Sequence, residues 1–149
     1  MTQEEKDEKY MRMALAEAME AMERDEIPIG AIVVSPKGNV IGRGYNLTEA
    51  LTDVSAHAEM QAITAAASTL GGKYLQGCTL YVTVEPCLMC AGTIGWAQIG
   101  RIVYGASDDK RGYHVYTCRS PFHPKATVTS GVLGEECAEL MRTFFKGKR

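Results

Sequence analysis

The hydrophobic and polar positions of this chain follow two periods, and each period predicts a type of secondary structure. A helical period over residues 5–24 places four apolar side chains on one face, which we interpret as core packing: Met11, Leu15, Ala18 and Met22. Two runs rich in β-branched residues follow, at 29–34 and 39–45. Because Pro36 and Gly38 stand between these runs, the pattern predicts a β-hairpin.

The rest of the chain alternates between strands and helices. An alanine-rich helix is predicted over 57–69 and ends at Gly71. The run 78–84 carries no charge, which predicts a central strand, and Pro86 is expected to open a helix that extends to about residue 98. The remaining elements are strands at 101–106 and 127–130 and a last helix at 134–146.

This order of elements predicts an α/β fold. The strand at 78–84, the helix at 86–98 and the strand at 101–106 form a β-α-β unit, for which a right-handed crossover is expected. We therefore predict a single domain over residues 1–149, a three-layer α/β/α sandwich with a five-stranded mixed sheet. Residues 108–125 have no clear pattern, and a loop of that length in a compact domain is usually functional or mobile.

The composition is that of a soluble globular protein. Of the 149 residues, 46% are hydrophobic and 23% are charged. No apolar run approaches the roughly 20 residues that a membrane span requires, and the acidic N-terminus is unlike a signal peptide. Five cysteines, an odd number without a secretory context, predict reduced thiols and a cytoplasmic location.

The net charge of −2 is distributed unevenly along the chain. Residues 1–26 hold nine acidic and four basic side chains, whereas residues 27–149 hold nine acidic and twelve basic ones. The tail from Arg142 to Arg149 has four basic residues and no acidic one. A phosphate-binding surface is compatible with this distribution, but a basic tail is more often a solvated end, so charge alone does not decide between them.

Three residues in two short motifs predict a metal site. Cys87 and Cys90, two residues apart, can bind one ion through both thiolates, and His57 adds a third ligand. The other cysteines, Cys78, Cys118 and Cys137, are isolated and form no second pair. Three protein ligands leave a fourth position for water, which is typical of a catalytic zinc rather than a structural one.

Each motif alone has another interpretation. His-x-Glu occurs by chance at the start of surface helices, and Cys-x-x-Cys at a helix N-terminus is also found in redox proteins. Both motifs occur here, each at the start of a predicted helix, which favours a catalytic site with one Zn²⁺ per subunit. Glu59, two residues after His57, is then the candidate catalytic acid and base: it would accept a proton from the water and deliver it to the substrate nitrogen and to the leaving ammonia.

The ordered pair His-x-Glu and Pro-Cys-x-x-Cys resembles the signature of the cytidine-deaminase-like zinc deaminases. Within that superfamily the chain is similar, over nearly its whole length, to the bacterial tRNA-specific adenosine deaminases. The segments that carry this resemblance are Ile27–Ala31, Gly44–Asn46, Ala56–Glu59, Leu80–Gly92, Gly105–Lys110, Gly131–Leu133 and Glu136–Ala138. The resemblance implies hydrolysis of adenosine to inosine at the wobble position of a tRNA anticodon, by a homodimer whose sites lie near the subunit boundary.

The resemblance also implies substrate-binding residues inside the pocket. Asn46 would hydrogen-bond the flipped purine, the backbone of Ala58 would hold its reacting edge, and Ile29 would line the pocket. Pro86 is expected among the substrate-binding residues as well. From the sequence alone, Asn46 is better explained as a turn residue at the end of a strand.

A second group of expected contacts lies on the predicted loop. The resemblance places Asp108 and Lys110 beside the anticodon stem-loop, to meet a ribose hydroxyl and a phosphate, although two charges in a solvated loop are an equally good explanation. The chain departs from the family pattern immediately afterwards, at 111–116. Three ring-bearing residues in this stretch would either stack on bases or pack against a neighbouring helix: Tyr113, His114 and Tyr116.

Other functions and other residues remain open at this level. His114 and His123 are more typical of surface histidines than of ligands, and Trp96 is expected either in the core or at a dimer interface. The main alternative function is deamination of a free base or nucleotide, of guanine or cytosine type, on the same fold. A zinc-stabilised RNA-binding module without catalysis is disfavoured because a structural site has no use for the unligated carboxylate of Glu59.

Overall fold

A five-stranded sheet organises the computed structural model, which describes residues 1–148. The elements are α1 (Gln3–Glu23), β1 (Gly30–Val34), β2 (Val40–Tyr45), α2 (Ala58–Leu70), β3 (Thr79–Val84), α3 (Leu88–Trp96), β4 (Arg101–Ala106), α4 (Tyr113–Tyr116), β5 (Thr127–Thr129) and α5 (Gly134–Lys146). The strand order is β2-β1-β3-β4-β5. β1 is antiparallel to both its neighbours, and β3, β4 and β5 are parallel to one another, so the predicted mixed sheet is confirmed.

The two faces of the sheet bury separate cores. Successive side chains of a strand point to opposite faces, so Ile32 packs with α1 and α5 while Val33 packs with α2 and α3. The central strands repeat this alternation: Tyr81 and Val103 face the first core, and Leu80, Val82 and Ile102 face the second. Helices therefore cover both faces, as the predicted α/β/α sandwich requires.

Helix α1 buries one stripe of small and apolar residues against the sheet. Its N-terminus is closed by a capping box, in which the Thr2 hydroxyl accepts the N–H of Glu5 and the Glu5 carboxylate accepts the N–H of Thr2. Met11 is fully buried and Met22 is half-buried, which agrees with their predicted core role. Among residues 1–148, no helix is both long and apolar enough to span a bilayer.

Helix α2 lies unusually close to β2 because two glycines face it. A Cβ added to Gly42 would lie 2.2 Å from the carbonyl oxygen of Ala62, and one added to Gly44 would lie 2.5 Å from that of Ala58. Contacts this short are impossible for a real side chain, so only glycine permits the packing. The glycines thereby fix the first turn of α2 against the sheet.

The structure corrects three expectations from the sequence. Pro86 does not open α3, because Cys87 is still extended and pairs with Gly112, so the helix begins at Leu88 and ends at Trp96 rather than at about 98. The predicted loop after residue 108 contains a short helix, α4. A core position for Trp96 is wrong, since 84% of its surface is exposed.

Candidate active site

The three predicted metal ligands lie at the N-termini of two helices in the same layer. His57 is the residue before α2, Cys87 is the residue before α3, and Cys90 lies in the first turn of α3. The unpaired N–H groups of a helix N-terminus carry a partial positive charge, which stabilises thiolates. The fold therefore brings together donors that are 30 residues apart in the sequence.

The geometry of these donors fits a zinc ion. The His57 Nδ1 atom lies 3.6 Å from the Cys87 Sγ atom and 3.4 Å from the Cys90 Sγ atom, and all three donors lie within 4.8 Å of one another. Tetrahedral zinc with usual Zn–S and Zn–N bonds separates sulfur from nitrogen by about 3.6 Å.

The three predicted ligands shift one another's pKa values. A hydrogen bond from the Cys90 thiol, together with the neighbouring His57, lowers the pKa of Cys87 to about 4 despite its partial burial. The same hydrogen bond and burial raise the pKa of Cys90. The hydrogen bond to Cys87 raises the pKa of His57. Cys87 therefore has the lower pKa of the two thiols, and both sulfurs would bind a zinc ion as thiolates.

Glu59 lies beside the ligands without joining them. Its side chain is buried in the first turn of α2, next to Cys87 and Cys90, and it is not a member of the three-donor cluster. Burial is the main cause that raises the pKa of Glu59 to about 7. A carboxyl group with a pKa near neutrality can both accept and release a proton at physiological pH.

The residues expected in the substrate pocket lie around the start of α2. Asn46 is buried, and its backbone N–H donates to the carbonyl of Ile29 at 3.2 Å. Ala58 packs against Gly44 of β2, and Pro86 is buried directly before Cys87, the first thiol ligand. Asn46 also lines a cleft of about 350 Å³ between the end of α1 and α5.

Asp108 and Lys110 lie on the loop after β4 and are the more exposed members of the predicted site. The Asp108 carboxylate accepts the backbone N–H groups of Lys110 and Arg111 at 3.0 and 2.9 Å, which shapes a tight turn. Lys110 is exposed. The two charges are thus presented on an ordered turn.

The two tyrosines that follow differ in their burial. Tyr113 packs edge to face on Phe122, with ring centroids 5.0 Å apart, and so belongs to the core. Tyr116 is exposed, and its hydroxyl contacts the Arg111 guanidinium at 3.2 Å.

Two buried carboxylates near the site were missed in the sequence. Glu26 accepts the N–H groups of Glu49 and Ala50 and so holds the loop before α2. Glu85 accepts hydrogen bonds from the backbone N–H groups of Asp108 and His114 and from the His114 ring. His114 itself is exposed and lies outside the three-donor cluster, as expected of a surface histidine. A signal was present for Glu85, because an acidic residue directly after an uncharged strand is placed at the buried edge of the sheet.

The fold and this cluster together define a class: an α/β/α protein with a three-ligand metal site and an unligated acid beside it. A family model described as the cytidine and deoxycytidylate deaminase zinc-binding region matches residues 4–106. The chain belongs to this family. The predictions of a deaminase and of zinc as its cofactor are thus confirmed at the level of the family.

Within this family, the chain is similar to individual deaminases of known type. The chain is 46% identical over 148 residues to a tRNA-specific adenosine deaminase of Agrobacterium fabrum, covering 94% of both chains. A solved structure from a study of A-to-I editing by tRNA:A34 deaminases is 44% identical, with a TM-score of 0.80 over 88% of this chain and 97% of the other. A guanine deaminase of Bacillus subtilis is 36% identical, with a TM-score of 0.65 over 72% of this chain and 66% of the other.

Proposed function

We propose that this protein hydrolyses adenosine to inosine at the wobble position of tRNA anticodons. The observation that carries the proposal is the cluster of His57, Cys87 and Cys90 with buried Glu59 beside it. The choice of tRNA as substrate is supported by relatives that are similar over nearly the whole chain and are tRNA-specific adenosine deaminases.

In this proposal the three ligands hold one zinc ion per subunit. Zinc in such a site supplies the Lewis acidity that makes water a nucleophile near neutral pH. Glu59 accepts the first proton of the attacking water and passes it to the purine ring nitrogen. It then takes the second proton of that water, now on the hydroxyl at C6, and gives it to the amino group, which departs as ammonia. Its position next to the ligands, but outside their cluster, supports that role.

The substrate is held by two groups of residues. Asn46, with an amide that both donates and accepts hydrogen bonds, binds the flipped purine together with the Ala58 backbone. Ile29 and Pro86 line the pocket. Outside the pocket, the anticodon stem-loop is bound by Asp108 and Lys110, through a ribose hydroxyl and a phosphate respectively.

We further propose that the active form is a homodimer of single-domain subunits in the cytoplasm. Trp96 at the end of α3 and Val54 before α2 are 84% and 87% exposed, although both are large and apolar. Val54 lies three residues before the ligand His57, and Trp96 ends the helix that follows Cys87. A second copy covering Val54 would therefore lie near the edge of the active site. The five cysteines are all free, which suits a reducing compartment.

One experiment tests the proposed substrate. The zinc-loaded protein is incubated with tRNA, and separately with adenosine, guanine and cytosine, and the products are identified by mass spectrometry. We expect inosine in the anticodon of the tRNA. Deamination of guanine or cytosine without inosine in tRNA would instead support a free-base deaminase, which the similarity to a guanine deaminase makes the second candidate.

A further inference from the structure

Glu85 is a buried carboxylate that the deamination chemistry does not use. It follows β3 directly, and its side chain is fully buried. The Oε1 atom accepts the backbone N–H of Asp108 at 3.1 Å, and the Oε2 atom accepts that of His114, also at 3.1 Å. One carboxylate therefore holds both ends of the 108–114 loop.

The His114 side chain supplies the third and shortest partner of this carboxylate. Its Nδ1 atom lies 2.6 Å from Oε2 and 2.8 Å from Oε1 of Glu85, so the ring donates from Nδ1. Its Nε2 atom faces the other side and lies 3.6 Å from a carboxylate oxygen of Asp109. The hydrogen bond to Glu85 raises the pKa of His114, which favours the charged imidazolium between the two carboxylates.

Backbone contacts join this loop to the metal-ligand segment. Cys87 pairs with Gly112, and the N–H of Tyr113 donates to the carbonyl of Pro86 at 2.9 Å. A Cβ added to Gly112 would lie 2.4 Å from the Glu85 carboxylate, so the loop packs directly on that group. The position of the loop relative to the zinc ligands thus depends on what holds Glu85 in place.

We propose that His114 is a positioning residue that acts through Glu85. By holding Glu85 in place, it keeps the Asp108–Lys110 turn at the distance from the zinc ligands that binding of the anticodon stem-loop requires. This inference rests on the proposed function, because it takes Asp108 and Lys110 as RNA contacts. A buried carboxylate is stable only when it is paired or hydrogen-bonded. Removal of the His114 ring takes away the only side-chain partner that the described residues give Glu85, and leaves two backbone N–H groups.

The expected kinetic effect is confined to substrate binding. Within residues 1–148 the His114 side chain forms hydrogen bonds and ion pairs only with Glu85 and Asp109. The loop is joined to the ligand segment by backbone contacts, the pairing of Cys87 with Gly112 and the Tyr113 N–H bond to Pro86, which a side-chain substitution keeps. We therefore expect Cys87 to stay in place and the chemical step to be unaffected once RNA is bound. The looser turn weakens the RNA contacts before and during the reaction alike. Loss of such uniform binding raises KM and leaves kcat unchanged.

Three variants of His114 distinguish the effect of its hydrogen bond to Glu85 from the effect of its side-chain size. Asn places an amide N–H donor near the position of Nδ1 and so preserves the bond to Glu85, whereas Gln reaches only the region of Nε2. Steady-state kinetics on an anticodon stem-loop RNA should give a KM raised about tenfold for His114→Ala and His114→Gln, with kcat within about twofold of the parent. His114→Asn should restore a KM close to that of the parent. Val115→Ala, on the same short helix, is the matched control and should leave both constants unchanged.

The outcomes distinguish this inference from the proposed function. If the parent protein forms no inosine in the RNA, the proposed function fails and the inference fails with it. If the parent is active, an unchanged KM in His114→Ala, equal behaviour of the Asn and Gln variants, or a fall in kcat alone would each overturn the positioning role. Zinc content and thermal unfolding are measured for every variant, and the comparison of Asn with Gln holds even if the Ala variant does not fold.

Discussion

Four acidic side chains are buried in the described part of this protein, and their partners separate structural roles from chemical ones. They are Asp7, Glu26, Glu59 and Glu85. Three of them accept hydrogen bonds from cationic side chains or from backbone N–H groups of distant segments. Glu59 instead lies beside the predicted metal ligands, two residues after His57. In the proposed function its buried carboxyl group transfers protons rather than holding the fold.

Glu59→Gln tests that assignment. The amide keeps the size of the side chain but cannot carry a proton between water and substrate, so deamination of tRNA should fall by at least about 10²–10⁴-fold. Zinc per subunit, measured by atomic absorption, should stay the same because Glu59 is not a ligand. A variant that retains zinc and reacts nearly as fast as the parent would contradict the role.

Asp7 predicts a pH dependence of stability. Burial opposes its ionisation, but hydrogen bonds from Arg101, Tyr81 and Gln3 outweigh burial and lower the pKa of Asp7. Because the folded pKa lies below the unfolded one, the stabilisation is complete above the unfolded value of about 3.9 and is lost as pH falls through the folded pKa.

Asp7→Asn should therefore lower the free energy of unfolding by about 3 kcal/mol at pH 7, since it leaves Arg101 without its charged partner. The difference between parent and variant should shrink below about pH 4. Urea unfolding at a series of pH values measures both. If Asp7→Asn lowered the free energy of unfolding equally at pH 3 and at pH 7, the ion pair between Asp7 and Arg101 would not be the cause of the loss.

At the scale of elements, the site depends on how closely α2 can approach the sheet. The first turn of α2 carries Glu59 and follows His57, and Gly44 lets that turn rest on β2. The second ligand segment is fixed differently, through the pairing of Cys87 with Gly112. A displacement of either element changes the distances among the zinc ligands.

Gly44→Ala should displace the first turn of α2. The added methyl group overlaps the carbonyl of Ala58, so we expect a loss of about 1–3 kcal/mol in the free energy of unfolding and weaker zinc binding. Gly72→Ala is the matched control, because its Cβ would meet nothing within 4 Å. Thermal unfolding and competition with a zinc chelator measure the two effects. Equal behaviour of the two variants would contradict the packing argument.

The sequence predicted the elements well and their long-range contacts poorly. The uncharged run 78–84 indicated the central strand, and the two ligand motifs indicated the zinc site, because both signals are local. The late start of α3 depends on pairing between Cys87 and Gly112, which no local pattern contains. Asp7 and Arg101 are 94 residues apart, and only the position of Asp7 on the buried stripe of α1 hinted at a partner.

At the scale of the whole molecule, the acid-rich N-terminal segment and the predicted metal site lie on opposite faces of the sheet. The acid-rich residues 1–26 contain α1, which lies with α5 on one face of the sheet. The zinc ligands begin α2 and α3 on the other face, and the loop with Lys110 and Arg111 borders them. Part of the basic charge of the remaining chain is paired with the acid-rich segment, Arg101 with Asp7 and Lys148 with Asp25. Lys110 and Arg111 are basic residues that stand beside the site instead.

This arrangement predicts salt-dependent binding of RNA. Affinity for an anticodon stem-loop, measured by fluorescence anisotropy, should fall steadily as salt rises, because phosphate contacts release counterions. Lys110→Ala should weaken binding and make the salt slope shallower by about one unit or less. Lys37→Ala, in the turn between β1 and β2, should change neither. An affinity independent of salt would favour a small-molecule substrate.

The exposed apolar side chains predict the oligomeric state. Light scattering should give about twice the chain mass of 16.2 kDa for the parent. Trp96→Glu should shift the protein towards monomer, because it places a charge in the proposed interface. Tyr74→Glu, at a half-exposed position on another segment, should not. A monomeric parent, or a Trp96→Glu dimer as stable as the parent, would contradict the proposed interface.

The two outer strands of the sheet determine how copies of this protein can meet. β5 has only three residues, and β2 pairs with β1 through an irregular register between Val33 and Val34. Short or irregular edges are poor templates for the addition of a further strand, and they protect a protein against amyloid-like stacking. We therefore expect copies of this protein to associate through their helices rather than by adding strands to the sheet. At high protein concentration this favours a closed dimer over a fibre.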